Sequence, residues 1–136
     1  MRFVIVSVLI AALWPFVLLL ATAWPSRSTL ARWGAGWDNH DVRGSMDRLR
    51  GWRRRAHFAQ INGHEGFAPF AAAIILAQLA QAPPGWIRGL ALAYLVLRGL
   101  YGLCYVADWS TWRTTVWIGA ALCVLGLYGA ALVCAR

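Results

Sequence analysis

Lysine is absent from this 136-residue chain: all 13 basic side chains are arginine, set against five acidic ones, of which Glu65 is the single glutamate. With 60% of its residues hydrophobic and a mean hydropathy of +0.55, the chain is too apolar for a soluble domain of its size. The three cysteines, Cys104, Cys123 and Cys134, form no CxxC pair and no metal-ligand spacing, which leaves them as small apolar packing residues. His57 and His64 lie seven apart without a third ligand, so no metal is expected. A glycine-rich phosphate loop, a nucleophilic triad and an internal repeat are also missing.

What remains is apolar. Four segments stand out, at about 3–24, 58–81, 86–107 and 114–134. At roughly 20 residues each, with about 1.5 Å rise per residue, they match a hydrocarbon core of roughly 30 Å. Residues 1–136 therefore read as one domain, an all-α integral membrane protein built as a four-transmembrane-helix bundle. The first segment ends in Ala21-Thr22-Ala23, which looks like a signal-peptide cleavage site. Its apolar run is longer than the roughly 7–15 residues such a signal uses, so retention is expected.

Residues 25–57 form an Arg-rich loop with Arg27, Arg32, Arg43, Arg48, Arg50, Arg53, Arg54 and Arg55 against Asp38, Asp41 and Asp47. The positive-inside rule puts this loop in the cytoplasm and both termini on the other side, in a membrane that reads as the bacterial inner membrane. Arg53-Arg54-Arg55 abuts a membrane helix, so its expected partner is lipid headgroups and not nucleic acid. Trp14, Trp24, Trp86, Trp109, Trp112 and Trp117 are read as an aromatic belt near the helix ends. Pro15 and Pro69 fall inside helices, where kinks are expected.

Against this background Glu65 is conspicuous, because an ionised group at mid-membrane costs about 3 kcal/mol or more unless it has a partner or a task. At about 100° per residue, Arg55, Phe58, Asn62, Glu65 and Pro69 share a sector of about 80° on the second helix, while His57, Gln60 and His64 lie nearly opposite. Two polar faces imply protein contact on both sides. On the third helix Tyr94, Arg98, Tyr101, Tyr105 and Asp108 share a similar stripe, and Arg113 follows across the cytoplasmic turn. A Glu65–Arg98 pair is the expected contact, since it would offset much of the cost of burying either charge. Simple interhelical glue is the competing reading. A small multidrug-type cation exporter is disfavoured by an arginine beside its glutamate.

The segment from Arg55 to Phe70, with Asn62, a Glu three residues on and Pro69 four after that, resembles the second-helix signature of the MAPEG superfamily, the membrane-associated proteins in eicosanoid and glutathione metabolism. The stretch Arg98-Gly99-Leu100-Tyr101-Gly102-Leu103-Cys104-Tyr105, followed by Arg113, resembles its third-helix and loop signature. The resemblance implies a homotrimer with glutathione bound between subunits near the cytoplasmic side, beside a lipophilic substrate arriving from the bilayer. Asn62, Glu65, Arg98, Tyr101 and Tyr105 would contact the tripeptide, and Arg113 would face its thiol as the catalytic residue. Well-studied members carry an Arg four residues before the Asn, where this chain has Phe58; Arg55, seven before, is the candidate to stand in. The implied activity is a glutathione-dependent transferase or peroxidase, the alternative a non-catalytic member with a lipid-binding or assembly role.

Overall fold

The computed structural model describes residues 1–23 and 40–135, and every regular element among them is an α-helix. Four helices are long: α1 (Arg2–Ala23), α3 (Gly51–Leu79), α4 (Pro84–Val106) and α5 (Ser110–Cys134); a short α2 (Val42–Asp47) precedes α3. Trp24 of the expected belt and Arg27, Arg32 and Asp38 of the expected loop lie outside the described residues. The rest of that loop is not simply loop. Asp41 caps α2 by accepting from the Gly44 amide at 2.8 Å, and α3 starts at Gly51, seven residues before the apolar pattern does. Hydropathy marks where a helix enters apolar surroundings, whereas the arginine-rich turns before that point remain good helix formers in water. Gly51 supports this early start, since its φ of +58° lies in the left-handed region that glycine adopts without a Cβ clash.

Among the described residues three helices are long and apolar enough to cross a membrane, α1, α4 and α5, which makes this an integral membrane protein. The helix over the expected 58–81 segment, α3, is not among them, because it carries Asn62, His64 and Glu65 in its middle. That polarity follows from its position. α3 packs against α1, α4 and α5, so much of its surface meets protein.

The packing surface of α3 is a run of small residues, Ala56, Ala59, Gly63, Ala73 and Ala77, with Phe70 and Ile74 filling the core between them. Small residues let membrane helices approach closely, where dispersion contacts replace the hydrophobic drive that lipid removes. Closest is Gly63, where a Cβ would come within 2.9 Å of the buried Pro15 Cγ. Both α1 and α3 run through their prolines as continuous helices. On the opposite flank, Leu90 and Leu97 of α4 lie against Gly126 and Gly119 of α5. Trp14 lies midway along α1 and packs over Gly102 of α4, so it is a packing residue and not part of the aromatic belt. Trp86, Trp109 and Trp112 are exposed at helix ends, as a belt requires.

Two helix ends close in the same way. At α3 the amides of Gln81 and Ala82 donate to Gln78 and Ala77, and at α4 those of Asp108 and Trp109 donate to Tyr105 and Cys104. Both are Schellman closures with a non-glycine residue in left-handed conformation, Gln81 at φ +56° and Asp108 at φ +67°.

Gly63→Val should be destabilising by about 2–3 kcal/mol, since the rigid Pro15 ring cannot yield to an added side chain. Gly63→Ala should be milder, because alanine's better helix propensity offsets about 1 kcal/mol. Thermal unfolding of the detergent-purified protein, read against wild type, checks this order.

Candidate functional site

Antiparallel pairing of α3 with α4 brings the two predicted polar stripes face to face. Arg98 is buried, 6% exposed, and its guanidinium forks onto one residue: Nη1 donates to Asn62 Oδ1 at 3.0 Å and Nη2 to the Asn62 backbone carbonyl at 2.7 Å. The Asn62 amide, Nδ2, in turn donates to Glu65 Oε2 at 3.3 Å. The expected Glu65–Arg98 ion pair is therefore replaced by a relay through Asn62. Asn62 lies one turn nearer the end of α3 that faces Arg98, and its amide offers an acceptor and a donor together. Glu65 is left on the exposed surface of the bundle with its carboxylate oriented by that single amide.

One turn along α4, the Tyr94 hydroxyl donates to the Gly66 carbonyl at 2.8 Å. Its ring stacks on Phe70, centroids 4.0 Å apart and nearly parallel. Pro69 has no amide to donate to the Glu65 carbonyl, and the Gly66 carbonyl accepts the Tyr94 hydroxyl with its second lone pair. This contact was not foreseen, although the place of Tyr94 in the Arg98 stripe signalled that its hydroxyl would face α3.

Toward the other end of α4 the stripe becomes a ladder. The Arg98 Cζ lies 4.9 Å from the Tyr101 ring centroid, Tyr101 and Tyr105 meet edge to face at 5.5 Å, and the Arg113 Cζ sits 4.5 Å over Tyr105. Two guanidiniums thus flank two tyrosine rings, an arrangement that orients each cation on a π face; Asn62 takes the N–H edge of Arg98, and that of Arg113 is left for an anion. Tyr101 is buried, and Tyr105 and Arg113 are half-buried. Leu18 and Ala59 pack behind Tyr101, with Trp14 and Val116 beside them.

Arg55 has another task. Its Nε and Nη2 donate to the Val106 carbonyl at 3.2 and 3.0 Å, and its Nη1 lies 3.5 Å from Asp108 Oδ2. Val106 is the last residue of α4, where carbonyls lack intrahelical donors and a cation is favoured. All three of its nitrogens are therefore engaged in closing α4. On the second polar face of α3, the exposed His64 meets Phe16 of α1 edge to face at 5.4 Å, while the buried His57 Nδ1 has no hydrogen-bond partner among the described residues.

Residues 6–133, nearly the whole chain, match the family model described as MAPEG family. Among curated proteins no match was found.

Asn62→Leu should be destabilising by about 3 kcal/mol, because it strips Arg98 of a side-chain partner and leaves a buried charge under-satisfied. Arg98→Leu, which removes the charge itself, should be milder, and the double variant should recover part of the loss. A double-mutant cycle of unfolding free energies measures the coupling; simple additivity would mean the contact contributes nothing.

Proposed function

The chain belongs to the MAPEG family, and from that premise we propose that it is a glutathione-dependent membrane transferase or peroxidase acting on lipophilic electrophiles or hydroperoxides. The observation that carries this reading is the outward-facing Glu65 carboxylate, held by Asn62 with the buried Arg98 behind it. A carboxylate at that depth needs a partner, and the ammonium of glutathione supplies one. In this reading a neighbouring subunit of a homotrimer covers the same face, α3 is the fourth membrane span, and the arginine-rich end faces the cytoplasm of a bacterial inner membrane.

The chemistry follows from the arginine–tyrosine ladder. A thiol with pKa near 8.5 is largely protonated at neutral pH, while the thiolate is the nucleophile. Arg113, oriented by the Tyr105 ring, stabilises the thiolate electrostatically in a site partly shielded from water. The thiol proton leaves to solvent, and the thiolate attacks an electrophile delivered from the bilayer: a carbon–sulfur bond forms as the leaving group departs with its electron pair, or, with a hydroperoxide, the O–O bond breaks to release the alcohol and a sulfenic acid that a second glutathione converts to the disulfide and water. Tyr101, Tyr105 and Asn62 offer the remaining polar contacts to the tripeptide. A second reading, a non-catalytic member of the family, is favoured by Arg98 and Arg55 being already engaged by protein acceptors.

Calorimetric titration of glutathione into detergent-purified protein separates the two. Glu65→Gln should weaken binding tenfold or more, the loss of about one charge-assisted contact. Arg113→Ala should leave affinity within about threefold but lower the glutathione-dependent rate about a hundredfold, and ultraviolet absorbance should show the thiolate of the bound ligand forming only at higher pH. An unchanged rate in Arg113→Ala would remove Arg113 from the mechanism, and absence of glutathione binding to folded wild type would leave the non-catalytic reading.

A further inference from the structure

Arginine gathers at the end of the bundle where α3 begins. Arg43, Arg48, Arg50, Arg53 and Arg54 stand there against Asp41 and Asp47, while Asp108 is matched by Arg55. The depth of this cluster follows from Arg55, which holds the carbonyl of Val106, the last residue of α4. The first turn of α3 is therefore level with the turn between α4 and α5. Both of those helices are apolar enough to cross a membrane, and Trp109 and Trp112 are exposed where they meet. That turn marks the boundary between hydrocarbon and headgroups. Two arginines at this level rest on uncovered aromatic rings. The Arg54 Cζ lies 5.5 Å from the Phe58 centroid, and the Arg53 Cζ 5.6 Å from that of Trp52; Phe58 is 41% exposed and Trp52 43%. Phe58 stands one turn deeper than Arg54, so the ring meets hydrocarbon while the cation reaches the phosphate layer. The Arg50 Nη1 points to the Asp47 and Leu49 carbonyls at 3.4 and 3.3 Å, which place it without neutralising its charge.

We propose that α2 and the first turn of α3 form a docking surface for acidic phospholipid headgroups, in which the exposed Arg43, Arg50 and Arg54 take phosphates and Trp52 and Phe58 sit at the hydrocarbon boundary. Charge complementarity selects the occupant. A guanidinium presents a planar fork of donors that matches a phosphate diester, and a basic cluster beside a membrane span is drawn to an anionic leaflet. A zwitterionic headgroup offers the same phosphate but carries a cation of its own, which the surplus of arginine repels. The exposed rings separate lipid from a soluble polyanion such as nucleic acid, since only lipid brings hydrocarbon to cover them. At the opposite end of the bundle only Arg2 and Arg88 are found among the described residues, so the two ends differ in kind. Glu65 lies about 16 Å deeper along α3 than Arg54, and the assignment does not draw on the glutathione reading.

The test uses the full-length protein in detergent, incubated with equal amounts of phosphatidylglycerol and phosphatidylcholine; the lipid retained after washing is measured by mass spectrometry. Wild type should retain the acidic lipid about tenfold over the zwitterionic one at low salt, since each arginine beside an anionic headgroup contributes about fivefold. The preference should shrink in molar salt, where charges are screened beyond about 3 Å. Arg43→Gln, Arg50→Gln and Arg54→Gln combined should bring it to within about twofold of parity, whereas the corresponding lysine triple should keep most of it. Arg2→Gln with Arg88→Gln should leave it unchanged. All five side chains are exposed, so the variants should fold, and circular dichroism checks that they do. Equal retention of the two lipids by wild type, a glutamine triple that keeps the preference, or its loss in the Arg2/Arg88 pair overturns the assignment. Displacement of the retained phosphatidylglycerol by a single-stranded oligonucleotide at physiological salt also overturns it, and would give these arginines to nucleic acid.

Discussion

A guanidinium enclosed in an apolar bundle has to find acceptors that hold still, and Arg98 finds both of its acceptors on Asn62. That demand sets the register of α3 against α4. Tyr94 meets Gly66, Arg98 meets Asn62, and the end of α4 at Val106 meets Arg55; each step down one helix is matched by nearly the same step up the other. A slip by one turn would displace all three contacts together and take the Asn62 side-chain oxygen away from Arg98. The tight fit at Gly66, where a Cβ would come within 3.3 Å of the Tyr94 hydroxyl and 3.4 Å of the Arg98 guanidinium, is a consequence of the same register.

The other helices supply the dry, close-packed frame in which such a fork holds. α1 seals the back of α3 through Gly63 and Pro15, and α5 fits Gly119 and Gly126 under two leucines of α4. These contacts are between small and apolar groups and carry no direction of their own. Direction comes from the polar contacts. Because α3 touches all three other long helices, it can hold the polar residues that would be unstable on a lipid-facing helix, and in doing so it becomes the least apolar of the four.

Much of this was legible in the residues. The three-residue step from Asn62 to Glu65 and the stripe from Tyr94 to Asp108 fix which faces are polar, and the 3.6-residue period does the rest. Which acceptor Arg98 would choose was not legible, because Asn62 and Glu65 lie within a turn of one another and a helical wheel does not resolve axial offset. The partners of Arg55 escaped for a related reason, since they depend on where α4 ends and how Asp108 turns, a matter of backbone conformation at a single residue. The start of α3 was misplaced because apolar content and helical hydrogen bonding end at different residues.

The charge pattern at this end of the bundle argues for the kind of ligand it suits. Arg98 and Glu65 balance each other through Asn62, and Arg55 is balanced by Asp108. Arg113 over Tyr105 and Arg54 over Phe58 are then held on π faces, which orient a cation without neutralising it. The local surplus is positive, so a ligand of net negative charge gains on approach and a cation does not. Ionising a thiol there adds one more negative charge. In the glutathione reading, the surplus that attracts the ligand is therefore the same surplus that favours its thiolate, and the neutral relay at Glu65 can orient the ammonium end without opposing either effect.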